Sequence, residues 1–276
     1  MDLRRYLESE GEEERELGYA AAGAAASPAA DGYPGDPDVR VPDSEVTVER
    51  RLLQGDGFDQ EVYVARPPGG GRTPAVLVIH ENKGLVPYIT NVARRLAQHG
   101  YVAVAPDLLS RVGGTSAYGT PVDVAAALGG IDGDDVVSDV RAVLAEVANL
   151  DVVDPDRLGI VGFCYGGGVA WRVLTQEPRL SVGVPFYGPP PDLQTVPGIQ
   201  APVLAVYGEL DERITSMLPG IREAMTTHGK VFEPLVLKGA QHAFHNDTNP
   251  DRYHAPAARQ AWDRALAYLD RWLGRA

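Results

Sequence analysis

The chain reads as an α/β protein, a mostly parallel central sheet with helices on both faces. Three observations predict it. Strand-length runs such as AVLVI at 75–79 and YVAVA at 101–105 are apolar at every position, as strands buried on both faces must be. Segments with helical spacing of apolar residues lie between such runs; in 134–148, Val136, Val137, Val140, Leu144 and Val147 share one side. The alternation runs from Ala75 to the C-terminus, and strand–helix–strand repetition produces parallel neighbours.

The elements follow in order. Residues 1–16 suit a short, highly charged helix, and 20–38, rich in Ala, Gly, Pro and Asp, suit a linker or loosely attached arm. Residues 1–40 are therefore set apart from a domain at 41–276. Whether parts of that arm are disordered or wrap the domain or a partner chain stays open. Val46–Val48 and 60–65, separated by Gly55-Asp56-Gly57, predict an antiparallel hairpin. A helix is expected at 91–99, stopped by Gly100. Further strands are expected around Leu158, at 180–185, 203–207 and 233–237, with helices at 219–228 and 255–273. The last buries Ala258, Trp262, Leu266, Leu269 and Leu273. The loop at 112–134 has no derivable conformation.

Totals narrow the function. A formal net charge of -13 argues against nucleic acid or an anionic membrane as a partner. The single cysteine forbids an internal disulfide and suits a reducing compartment such as the cytoplasm. No run of about 20 apolar residues is present to span a bilayer. Arg4-Arg5 is followed by acidic residues 8–16 instead of an apolar core, so no signal peptide is expected.

The chemistry centres on 158–169, LGIVGFCYGGGV. An apolar strand enters a glycine-flanked apex, Gly162-Phe163-Cys164-Tyr165-Gly166, and a helix-like segment leaves it. This is the G-x-S-x-G nucleophile elbow with cysteine for serine. Polar residues follow the other strands: His80-Glu81-Asn82, Asp107 with Arg111, Glu209 with Asp211, and His242. Nucleophile, acid and histidine in the order Cys164, Asp211, His242 match the α/β-hydrolase triad. In it His242 moves the thiol proton and Asp211 orients the imidazole. Glu209 and Asp107 are rivals for the acid, with Asp107 read first as a strand-end cap. The backbone N–H groups of Tyr165 and Asn82 are the expected oxyanion donors. His242, His245, Asp247 and His254 invite a metal reading, but no HExxH or paired-cysteine pattern supports it, so neither metal nor other cofactor is expected.

On these residues the chain resembles the dienelactone hydrolase family over about 46–273. The motifs are Glu81 after a buried strand, GFCYGG at 162–167, GELD at 208–211 and QHAF at 241–244. The resemblance implies hydrolysis of an unsaturated lactone ester, no cofactor, and Cys164, Asp211 and His242 as triad. It also implies that Glu81 contacts the resting thiol and helps form the thiolate. Family members hold the substrate carboxylate with two arginines. Arg111 matches the first, and Asn246 stands where the second belongs, so half of that clamp is missing. Arg111, Tyr187 and Asn246 are the candidate substrate contacts, with a surface arginine and core packing as the alternatives for the first two. The leading function is a cysteine-dependent ester or lactone hydrolase, monomeric or homodimeric, acting on a small molecule. The alternatives are a ligand- or redox-sensing binder on the same scaffold, and acyl transfer to an acceptor other than water.

Overall fold

The computed structural model describes residues 2–16, 33–54 and 57–274. The part of the expected arm at 20–32, and the expected turn at 55–56, lie outside them. Eight strands form one sheet in the order β1-β2-β4-β3-β5-β6-β7-β8. β1 (Thr47–Gln54) and β2 (Asp59–Arg66) are the antiparallel hairpin that the alternation at 46–48 and 60–65 predicts. β2 pairs antiparallel with β4 (Val102–Pro106), and every pairing from β4 onward is parallel. β3 (Thr73–Ile79) and β5 (Val153–Phe163) are adjacent at the centre, with β6 (Leu180–Phe186), β7 (Val203–Gly208) and β8 (Phe232–Leu237) beyond them.

Pro74 to Ile79 are all buried. Successive strand side chains face opposite ways, so the sheet is covered on both sides. The cover comes from α2 (Pro87–Gln98), α4 (Gly133–Ala148), α5 (Tyr165–Leu174) and α8 (Ala255–Leu273), with α7 (Leu218–Thr227) near the β8 edge. After β3 the chain turns outward to β4, then crosses back to place β5 on the other side of β3. The carboxyl ends of β3 and β5 therefore flank a switch point, the place where open α/β sheets bind ligands.

Three elements differ from expectation. α2 begins at Pro87 and not at 91, because proline fits the first helical position and needs no N–H there. β5 starts five residues before Leu158, its first half being largely polar and partly exposed. Residues 121–130 of the unassigned loop form α3 (Pro121–Gly130), with the Thr120 hydroxyl accepting from the Asp123 N–H as cap. Its run of Val and Ala has no one-sided stripe to read. A short α6 (Glu212–Thr215) follows β7.

The N-terminal helix α1 (Leu3–Glu16) does form, and it is docked. Asp2 accepts from the Arg4 N–H at 3.1 Å to start it. Leu3, Tyr6 and Leu7 are buried, at helical spacing on one stripe, against α3 and α5. Burying such side chains is worth roughly 1.5–3 kcal/mol each, enough to hold a helix that charge alone would leave in solvent. Among the described residues, no helix is long and apolar enough to cross a membrane.

Candidate functional site

The nucleophile position is set by steric limits at the β5–α5 turn. Cys164 has φ 54° and ψ -118°, a left-handed backbone that costs of order 1–3 kcal/mol and is held only by its surroundings. Two glycines enforce it by close approach. A Cβ on Gly162 would stand 2.1 Å from the Gly166 carbonyl oxygen, and one on Gly166 would stand 2.4 Å from the carbonyls of both Ile79 and His80. The elbow can thus pack tightly against β3 only with glycine at both positions, and the thiol is lifted to the sheet's carboxyl edge.

The expected acid and base arrive from the loops after β7 and β8. Asp211 follows β7 as the cap residue of α6, and His242 follows β8. The Leu210 N–H donates to the Ala240 carbonyl at 2.9 Å and ties the loops together. Asp211 Oδ2 lies 2.5 Å from His242 Nδ1, and both side chains are buried. Glu209 turns elsewhere: its carboxylate accepts from the Gly239 N–H at 2.9 Å. Asp107 caps its own loop, accepting from the N–H groups of Leu109 and Thr115 and from the Thr115 hydroxyl.

The surroundings of the thiol include two residues not foreseen from the sequence, both on α1. Glu10 Oε2 lies 3.2 Å from Cys164 Sγ, and Glu10 Oε1 lies 3.4 Å from His242 Nε2. The Tyr6 hydroxyl lies 3.5 Å from Sγ and 3.2 Å from His242 Nε2. The Glu10 carboxylate also pairs with Arg213 of α6. Arg213 additionally donates to Ser9 Oγ at 2.9 Å and lies over the Tyr6 ring, 4.6 Å from its centroid. The sequence signal was present: Leu3, Tyr6, Leu7 and Glu10 fall at i, i+3, i+4 and i+7, one stripe of a helix. The abundance of glutamate hid it.

Burial pushes the Cys164 thiol up to about 11, and the Glu10 charge adds to this, while His242 opposes it. For His242 burial pulls downward, but the charges of Glu10 and Asp211 and the Asp211 hydrogen bond outweigh it, so its pKa is well above the ordinary value. The Glu10 charge thus raises both the thiol and the imidazole. The imidazole Nδ1 faces Asp211, and its Nε2 faces Tyr6 and Glu10.

Glu81 and Asn246 belong together. Asn246 Nδ2 donates to Glu81 Oε2 at 2.6 Å, and the Tyr187 hydroxyl donates to Oε1 at 3.3 Å. The expected resting contact of Glu81 with the thiol is replaced here: these two donors hold its carboxylate, and Glu10 stands at the sulfur instead. Burial raises the Glu81 pKa, against the opposing effects of Lys83 and Asn246. Tyr187, at φ 37°, packs edge-on to His242 with centroids 5.0 Å apart and is fully buried. Tyr165 opens α5, and Asn82 lines the recess beside Cys164. Arg111 is not brought to that recess. It makes a two-point contact to Asp139, at 2.7 and 3.1 Å, and stacks on Phe58. A buried carboxylate on α4 claims it, so it is a structural cation and not the expected substrate contact.

The other residues that invited a metal reading are spoken for by different partners. His245 bonds the Tyr88 hydroxyl at 2.8 Å, Asp247 accepts from Tyr33 at 2.7 Å, and His254 caps α8. Glu10, Cys164 and His242 do present three ligand atoms within 4.8 Å of one another. They would suit a zinc-like ion, which would tie up both sulfur and imidazole.

These features have counterparts in known proteins. The sequence model of the "Dienelactone hydrolase family" matches residues 60–273. A Methylorubrum extorquens protein, provisionally named a carboxymethylenebutenolidase, is 34% identical over 215 residues, 73% of each chain. A Bradyrhizobium protein, named with the same reserve a 2-oxo-3-(5-oxofuran-2-ylidene)propanoate lactonase, is 35% identical over 78% of this chain and 90% of its own. A similarly named dienelactone hydrolase structure from Klebsiella pneumoniae shares 30% identity with a TM-score of 0.76, over 82% of this chain and 99% of that one. An acylaminoacyl peptidase from Pyrococcus horikoshii shares the α/β-hydrolase fold at a TM-score of 0.65 and 14% identity, over 84% of this chain and 42% of that one.

Proposed function

The chain belongs to the dienelactone hydrolase family and is a hydrolase of small ester or lactone molecules; from that premise we propose that it works through a Cys164–His242–Asp211 triad and a thioester acyl-enzyme. The observation that carries this is the 2.5 Å Asp211–His242 contact, with the other imidazole edge turned to the thiol's surroundings. Asp211 fixes Nδ1–H, which leaves Nε2 as the nitrogen that exchanges a proton. Nε2 takes the Sγ proton, the resulting thiolate attacks the acyl carbon, and the N–H groups of Tyr165 and Asn82 receive the developing oxyanion. Collapse expels the alcohol, or opens the lactone ring, with a proton from His242. Water, deprotonated by the same imidazole, then releases the acid from sulfur.

The buried neutral thiol needs activation before it can attack. Bringing sulfur to its thiolate is easier when the nearby carboxylate is gone, because Glu10 raises the thiol pKa. The test is an acyl-enzyme trap. Small aryl esters and lactones are mixed with the full chain, and mass spectrometry follows the adduct. Acylation at Cys164 and a loss on the order of 10³-fold or more in Cys164→Ala are expected. Undiminished turnover by that variant would remove the mechanism.

A further inference from the structure

We propose that Glu10 is an internal ligand of the site: Arg213 holds its carboxylate against the thiol, α1 thereby occludes the enzyme, and Arg213 is the anchor for a carboxylate on the incoming ester. The substrate class rests on the hydrolase reading above; the occlusion does not.

Space argues first. The recess lined by Glu10, Glu81, Asn82, Cys164 and His242 has a volume of about 20 Å³, room for roughly one water and no ester. Across α1 stands a cleft of about 430 Å³, walled by Leu7, Gly11, Val122 and Ala125. The two spaces share Asn82 and Lys83. A space of substrate size thus adjoins the oxyanion loop, and Glu10, whose neighbour Gly11 lines that space, is the α1 carboxylate at the sulfur.

Chemistry argues second. Glu10 is 6% exposed, and both of its oxygens are used, one toward sulfur and one toward His242 and Arg213. Arg213 holds α1 through the Tyr6 ring, the Ser9 hydroxyl and Glu10. Guanidinium and carboxylate form the strongest common ion-pair geometry, so the position beside the thiol is built for a carboxylate. Of the two positions of the implied clamp, Arg111 is committed to Asp139 and Asn246 to Glu81, and the arginine lining the recess is Arg252. Arg213 reaches the site from a different loop, two residues after the catalytic acid. An ester carrying a carboxylate competes with Glu10 for Arg213, and its binding releases the sulfur from the group that raises its pKa.

Cys164 is the only cysteine, so alkylation of the intact chain reads its access with no substrate needed. Iodoacetate and iodoacetamide both form the S–C bond and expel iodide, but only the first brings a carboxylate. Both should react slowly with the native chain. Glu10→Gln should raise both rates by about tenfold or more, with the larger gain for iodoacetate. Adding Arg213→Gln should lower the iodoacetate-to-iodoacetamide ratio by about tenfold, the loss of one charge-assisted contact. The ratio cancels any change in thiolate fraction. Leu3→Ala/Leu7→Ala loosens α1 without touching the carboxylate and should also speed alkylation, with near-UV dichroism confirming a native core. Rates unchanged in both Glu10→Gln and the leucine variant overturn the occlusion. A ratio unmoved by Arg213→Gln overturns the anchor. The expected alkylation pattern with no acyl adduct from any ester would instead remove the hydrolase reading and leave the occlusion standing.

Discussion

His242 and His245 stand three residues apart, both buried, and the protein shifts their pKa values in opposite directions. His242 faces Asp211 and Glu10, and those carboxylates overcome the cost of burial and raise its pKa. His245 sits among aromatic rings, with Phe163, Phe186 and Trp262 centroids 5.3–5.5 Å away. Burial and then the Arg95 charge hold its pKa well below the ordinary value. Arg95 itself lies over Trp262 at 4.1 Å. Desolvation is the leading cause for both rings, so the choice of neighbours decides the sign. An imidazole becomes a proton carrier where acids surround it and a neutral hydrogen-bonding wall where rings do.

The comparison breaks most sharply under substitution. His242→Gln is expected to lower kcat/KM on aryl esters by roughly 10⁴-fold, and His245→Gln by less than about tenfold. Equal losses would mean that His245 also handles protons. Asp211→Asn comes next, with a loss on the order of 10²-fold or more in kcat, since the imidazole loses its fixed tautomer. It should also bring the His242 titration toward ordinary values while leaving that of His245 in place, read from the imidazole C–H resonances.

The smallest effect is on stability, and there the two rings have opposite signs. A histidine with a raised folded pKa stabilises fully below its unfolded pKa of about 6.5, and that stability is lost as pH rises through the folded value. His242 behaves so. His245, with a depressed folded pKa, does the reverse: below about pH 6.5 the unfolded chain binds a proton that the folded one refuses. Between pH 7.5 and 5.5, His245→Phe should therefore gain about 1.4 kcal/mol relative to the native chain, measured by urea unfolding at the two values. No relative gain would mean that His245 is protonated in the fold.

Much of the candidate site was legible because each member is local to a strand end. GFCYGG needs only a strand before it and a helix after it. Asp211 and His242 follow β7 and β8 at the positions where the chain must leave the sheet. The choice of Asp211 over Glu209 could be made from position, since Glu209 is still adjacent to the strand. The role of Arg111 could not be read in the same way. Its match to a family position was a match of spacing, and Asp139, on a helix 28 residues away, decided its partner. Glu81 is similar: its place after β3 was clear, but its hydrogen bonds depend on Asn246, 165 residues on.

By itself the sequence determined the α/β architecture and the reaction type, because periodicity and strand-end motifs act over a few residues and the strained elbow needs its own glycines. Only the tertiary structure decided what stands against the sulfur. Glu10 and Cys164 are 154 residues apart, and their contact depends on a helix docked by three apolar side chains. No local rule states where an amphipathic stripe will land, because many apolar surfaces could accept it; the shape and charge left open above the thiol, with Arg213 at its edge, made that choice.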